Sequence, residues 1–160
     1  MNKTLKRVGA GALLVFAFLV VIAALPGEKD KEVEGSTDAT PMAFDVPSLI
    51  GKNLANLRST LGVPDQDTEP TEAQVQAGIE TWEKSWKKDG YVLMATYDVK
   101  TKAIVDLFLG ADSDAANAEF RDTKNILRVG NLSTDAGQYS IEFVKARNTS
   151  GYTGAIIRAK

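Results

Sequence analysis

The chain has 160 residues, with 19 Lys and Arg against 21 Asp and Glu, 44% hydrophobic residues, and neither Cys nor His. That length fits one ordinary globular domain with a short appendage. The two missing residue types exclude disulfide scaffolds, thiol nucleophiles, Ser-His-Asp triads, imidazole switches and the usual zinc sites. A net charge of −2 supplies no overall basic field for nucleic acid.

Lys3, Lys6 and Arg7 precede an uncharged run from Val8 to Leu25, which Pro26-Gly27 ends just before the charged stretch Glu28 to Glu34. Eighteen residues at the helical rise span about 27 Å, close to the hydrocarbon core of roughly 30 Å. The run is apolar on every side, which predicts a single transmembrane helix rather than a buried core helix. The positive flank stays in the cytoplasm, so the rest of the chain is expected outside it. A cleaved signal is the competing reading, because Ala23 and Ala24 are small, although Val21 or Ile22 departs from the Ala-x-Ala pattern. Both readings export the domain. Residues 1–26 are therefore an anchor or signal segment. Residues 27–42, mostly Glu, Lys, Asp, Ser, Thr and Gly, form a linker too polar to bury a face. Charges cancel through residue 42, so the net −2 belongs to residues 43–160.

Ten aromatics between Phe44 and Tyr152 let the exported domain close a core of its own. After Val46-Pro47, Asn53 is a helix cap, Leu54, Leu57 and Leu61 recur at helical spacing, and Gly62 and Pro64 end the element. Thr71 with Gln74 resembles a capping box and starts a second helix. Residues 79–88 admit two readings. Val75, Ile79, Trp82 and Trp86 share a helical face; but an Asp89-Gly90 hairpin turn would set Trp86 opposite Leu93 and Trp82 opposite Tyr97. Gly78 and Thr81 weaken the helix, and the hairpin is the expectation. Strands follow over Tyr91 to Tyr97 and Ala103 to Leu109, then a helix over Ala115 to Val129 with Ala116, Phe120 and Leu127 inward. Two more strands run from Tyr139 to Ala146 and from Tyr152 to Ala159. The expected fold is α+β, an N-terminal transmembrane helix followed by helices packed on one face of an antiparallel sheet in the order α-α-β-β-β-α-β-β.

The pattern Leu49, Ile50, Gly51, Leu54, Leu57, Leu61-Gly62, Pro64, then Trp82, a Gly-turn hairpin and a Val105-centred strand, resembles the helix-helix-meander of SmpA/OmlA-type outer-membrane assembly lipoproteins. The β-lactamase-inhibitor-protein-like fold shares that unit. The resemblance covers about residues 49–109 and implies a non-catalytic module that contacts envelope proteins. This chain lacks the lipid-bearing Cys of those lipoproteins. Val46-Pro47-x-Leu49-Ile50-Gly51-Lys52 is also similar to the opening of a PASTA module, an extracytoplasmic domain associated with cell-wall fragments.

Several residue groups are compatible with chemistry. Ser85-x-x-Lys88 has the Ser/Lys acyl-enzyme spacing without its companion motifs, and surface roles account for it. Asp65, Asp67 and Glu69, and again Asp112, Asp114 and Asn117, form oxygen-rich loops that lack the calcium-loop template, so turn and cap roles account for them. Glu80, Glu83, Asp98 and Asp106 include no diagnostic glycosidase pair. Trp82, Trp86, Tyr91 and Tyr97 could form an aromatic platform, or simply pack in the core, and Lys84, Lys87 and Lys88 could rim it for an acidic protein or polymer. The sequence thus predicts a tethered interaction module for an envelope protein, or else a domain that binds wall polymer or peptide. It calls for no cofactor, metal or nucleic acid.

Overall fold

The computed structural model describes residues 41–112, 120–147 and 149–160. Within them the chain forms a five-stranded antiparallel sheet and three helices, an α+β fold. In order these are α1 (Leu54–Leu61), α2 (Glu72–Gln76), β1 (Thr81–Lys88), β2 (Tyr91–Asp98), β3 (Ile104–Ala111), α3 (Thr123–Val129), β4 (Tyr139–Lys145) and β5 (Tyr152–Ala159), with a 3-10 turn at Val46–Leu49 ahead of α1. None of the described helices is long and apolar enough to cross a membrane. The anchor expected over residues 8–25, and the linker as far as residue 40, lie outside the described residues.

Local sequence chemistry sets the element ends. The Asn53 side chain accepts from the Asn56 N–H at 3.0 Å and starts α1, and Gly62, with φ at +87°, ends it. Thr71 and Gln74 form both halves of a capping box on α2. Residues 81–88 are a strand. Asp89 and Gly90 both take positive φ, 53° and 80°, the signature of a two-residue hairpin turn whose twist matches its strands. Trp82 stands opposite Tyr97 and Trp86 opposite Leu93, as the hairpin reading requires. Between β2 and β3, the Asp98 carboxylate accepts from the N–H groups of Lys100 and Thr101, and Lys102 turns left-handed at φ 59°.

The third helix is shorter than the sequence suggests. Asp122 caps it, its carboxylate accepting from the Asn125 N–H at 2.9 Å. Phe120 lies before the helix and exchanges two backbone hydrogen bonds with Tyr152, each 2.9 Å, so it is buried as a bridge residue rather than as a helical one. An aspartate that satisfies first-turn N–H groups competes with helix propagation through it, and here the cap prevails. Ala116 lies outside the described residues.

The strand order is β1-β2-β3-β5-β4. The first three strands form the expected meander; the chain then travels through α3 to the far edge and returns as β5 beside β3. One sheet face carries Trp86, Leu93, Ala95, Tyr97, Leu107, Leu109, Ala155 and Ile157, all buried, and they join Leu54 and Leu57 of α1 and Ile126 and Val129 of α3 in one core. The 43–46 segment ties to the end of α3 through N–H groups of Ala43, Phe44 and Val46 on the Val129 and Gly130 carbonyls. The other sheet face carries half-buried Val92, Met94, Phe108, Val144 and Ile156. The Phe108 ring there lies against Gly110 and Gly154: a Cβ built at Gly154 would sit 2.7 Å from the ring and 2.2 Å from the Leu109 carbonyl oxygen.

Candidate functional site

The one charged residue of the described sheet that lies wholly inside is Lys84, between Trp82 and Trp86 on the core face of β1 and 0% exposed. A buried ammonium requires oxygen partners, and the segment from Gly62 to Pro70 supplies them. The Lys84 ammonium donates to the Thr68 carbonyl at 2.6 Å and pairs with Asp67 at 2.9 Å and Glu69 at 2.8 Å. Arg58 of α1 pairs with Asp67 and stands 3.8 Å from Glu69. Lys102 approaches Glu69 at 3.6 Å and lies over the Tyr97 ring, 5.1 Å from its centre. The Tyr97 hydroxyl, on the fully buried side chain, donates to Glu69 at 2.8 Å.

Alternation along β1 explains the assembly. Side chains at 82, 84 and 86 point to the same face, and each reaches the crossing strap: the Trp82 indole N–H donates to Thr68 at 2.8 Å and the Trp86 indole N–H to Gly62 at 3.0 Å. Asp65 completes the seam, its N–H donating to the Ser85 carbonyl at 2.8 Å while its carboxylate accepts from the Lys87 N–H at 2.6 Å.

The electrostatics follow from this geometry. The hydrogen bond from Lys84, with further help from Tyr97, Lys84 and Lys102, outweighs the opposing effect of desolvation and lowers the Glu69 pKa to about 2. Tyr97 moves the other way. Burial first, and then its hydrogen bond to the Glu69 carboxylate, hold the phenol above its ordinary range. At neutral pH the acid of the cluster is therefore ionised and the phenol is protonated, each satisfied by the other. The cluster fastens the strap to the sheet; neither group is poised to take or give a proton near pH 7.

The residues singled out from sequence scatter by face and depth. Trp82, Lys84, Trp86, Lys88, Tyr91 and Tyr97 share the helix side of the sheet, and Lys87 points to the other. Trp86 is 3% exposed and Tyr97 0%. Tyr91 stacks on Phe120 at 5.5 Å. Trp82 is half-buried beside an open groove of about 300 Å³ lined by Gln66, Ile79, Thr81 and Glu83. Lys88 is exposed, and Lys87 pairs with Asp112 at 3.0 Å. Ser85 and Lys88 lie on opposite faces of the strand, so the hydroxyl and ammonium do not meet there. Asp106 stands 3.9 Å from Arg158, and Asp98 belongs to its turn; Asp114 and Asn117 lie outside the described residues.

Sequence reasoning named Asp67 and Glu69 but did not join them to Lys84, and it missed Arg58 and Lys102. A signal was present. Once Trp82 and Trp86 face the core, alternation forces Lys84 inward, and acids spaced two apart at 65, 67 and 69 present a compatible row.

No family model matches the chain, and no curated protein matches it. Among solved structures it is similar to a cysteine-rich secretory protein from Staphylococcus aureus subsp. aureus Mu50, at 9% identity and a TM-score of 0.45, over 76% of this chain and 48% of that one. The chain thus spans about half the length of that protein, a likeness too slight to carry an argument.

Proposed function

We propose that this chain is a membrane-tethered extracytoplasmic interaction module without catalysis of its own, held at the surface by residues 8–25 and binding an envelope protein. The observation that carries the reading is the uncharged run Val8 to Leu25 behind Lys3, Lys6 and Arg7, which meets the length and flanking-charge requirements of a span with the N-terminus inside. Support also comes from the fastened cluster, whose ionisable groups are occupied with one another, and from the resemblance of residues 49–109 to envelope-assembly lipoproteins. If the leader is cleaved, the same domain is secreted. A C-terminally tagged chain should sediment with membranes, resist alkaline extraction, and lose its tag to protease added outside the cell. An intact chain in the cytosolic supernatant would overturn the reading.

A second reading rests on Trp82 alone. The half-buried indole and its groove of about 300 Å³ suit a small segment of wall polymer or peptide. The buried Trp86 contributes no surface to it. Addition of wall fragments should then change the tryptophan emission of the native chain but not that of Trp82→Phe; a flat titration of the native chain removes this reading.

A further inference from the structure

The two outer strands of the sheet are finished differently. β1 has its outer side engaged at Ser85 by the N–H groups of Asp65 and Gln66. Among the described residues no segment pairs with the outer side of β4. Its backbone phase can be read from Lys160, whose N–H donates to the Gln138 carbonyl at 3.1 Å, just beyond the Tyr139–Ala159 pair. Hydrogen-bonding direction alternates along an antiparallel strand. Ser140, Glu142 and Val144 therefore turn their backbone groups toward β5, and Tyr139, Ile141 and Phe143 turn theirs outward.

Little along this edge repels another strand. It has no proline, and the Glu142 carboxylate is matched by Arg158 at 2.8 Å. Ile141 and Phe143 are half-buried at the margin of the core, so a strand laid beside them extends the covered apolar layer.

We propose that the β4 edge joins a second copy of this chain, strand to antiparallel strand, about a two-fold axis through Ile141. The inference deepens the interaction-module reading and rests on it, because tethering confines all copies to one surface and raises their effective concentration. The register follows from side-chain matching. An axis at Ile141 pairs Ile141 with its own copy, Phe143 with Tyr139 and Glu142 with Ser140, and forms about six backbone hydrogen bonds from the outward groups. An axis at Glu142 would set two carboxylates directly opposite, which is unfavourable. An axis at Phe143 would set Lys145 against Ile141 and leave Glu142 facing Val144. The contact is isologous, so it closes as a dimer and leaves no further β4 edge to propagate.

The chain has no Cys, so one introduced thiol reports one position. Directly opposed residues of a hydrogen-bonded antiparallel pair lie about 5.5 Å apart at Cα, within disulfide range. In native membranes under mild oxidation, full-length Ile141→Cys should become a covalent dimer, whereas Thr81→Cys, exposed on the far edge, should stay monomeric. In detergent the unmodified chain should elute as a dimer, and Ile141→Lys should reduce the dimer fraction at least tenfold while keeping the emission of buried Trp86. Absence of an Ile141→Cys dimer, or equal cross-linking of Thr81→Cys, would overturn the proposal. Stronger cross-linking of Glu142→Cys or Phe143→Cys would overturn its register. An adduct with a different protein would overturn the second copy and leave the interaction-module reading standing. Dimers of a chain recovered from the cytosol would support the edge and overturn the tether.

Discussion

The β1 side of the sheet is finished by side chains that reach across to a strap, whereas the β4 side ends in outward-facing backbone. On the first side a buried ammonium, two indoles and a phenol together hold the 62–70 segment. On the second, Arg158 and Glu142 pair along the solvent face, and no described segment covers the edge itself. Among the described residues, one border of the sheet is thus committed to the fold by side-chain contacts while the other is not. The charged groups that gather on the β1 side are paired with one another.

The largest expected effect comes from breaking the fastened side at its centre. Lys84→Met removes the buried cation between Asp67 and Glu69 and leaves them only the partly exposed Arg58 and Lys102. Removal of one partner from a buried ion pair costs about 3–5 kcal/mol, and the lower end is expected because the two carboxylates are 32% and 50% exposed. Urea unfolding measures this, and adding Asp67→Asn with Glu69→Gln should recover part of the loss. A change under about 1 kcal/mol would reduce the cluster to an ordinary surface pair.

Gly154→Ala probes the join between the two sides. Its new methyl would meet backbone oxygen as well as the Phe108 ring, so a loss of about 1–3 kcal/mol is expected. Gly110→Ala should cost less, because its nearest obstacle is the Phe108 ring at 2.6 Å and the nearest backbone oxygen is 3.3 Å away. Equal losses for the two would show that the ring, rather than the carbonyl, sets the limit.

Tyr97→Phe removes one donor from Glu69 and is expected to cost about 1 kcal/mol. It should also raise the Glu69 titration midpoint, as followed by carboxyl carbon NMR. Linkage gives the direction of the pH effect. Glu69 has a depressed folded pKa, so its contribution is present above its ordinary value of 4.5 and is lost as pH falls toward about 2. Tyr97 has a raised one, so its contribution is present below 10 and is lost as pH climbs beyond that. The acid limb should flatten in Glu69→Gln, and the alkaline limb in Tyr97→Phe.

The smallest effect is expected at the open border. Ser140→Ala, on an exposed side chain of β4, should leave unfolding within about 0.5 kcal/mol of the parent. A larger loss would mean that the edge is already part of a contact that the fold needs.

Legibility in the sequence tracked the range of the interaction. Turns and caps are local, and Asp89-Gly90, Asn53 and the Thr71/Gln74 box were readable because each acts within four residues. The tryptophan pairings followed from the turn, since a two-residue loop fixes register. The helix start at Asp122 was local too, but helix periodicity through Phe120 masked it. The placement of β4 outside β5 was not readable, because nothing in either strand states its neighbour. Nor was the site. Lys84, Asp67, Glu69 and Arg58 lie up to 26 positions apart, and only their folded proximity turns scattered charges into a clasp.

Phe108 has a consequence of its own. Its ring rests on two residues without side chains, Gly110 and Gly154, where β3 meets β5 on the face opposite α1 and α3. A flat hydrocarbon lid over bare peptide groups keeps solvent from the amides beneath, doing with one residue what a second layer does elsewhere. In deuterated buffer those central amides should exchange among the last in the protein, so the middle of the sheet would keep time for global opening even on the side away from α1 and α3.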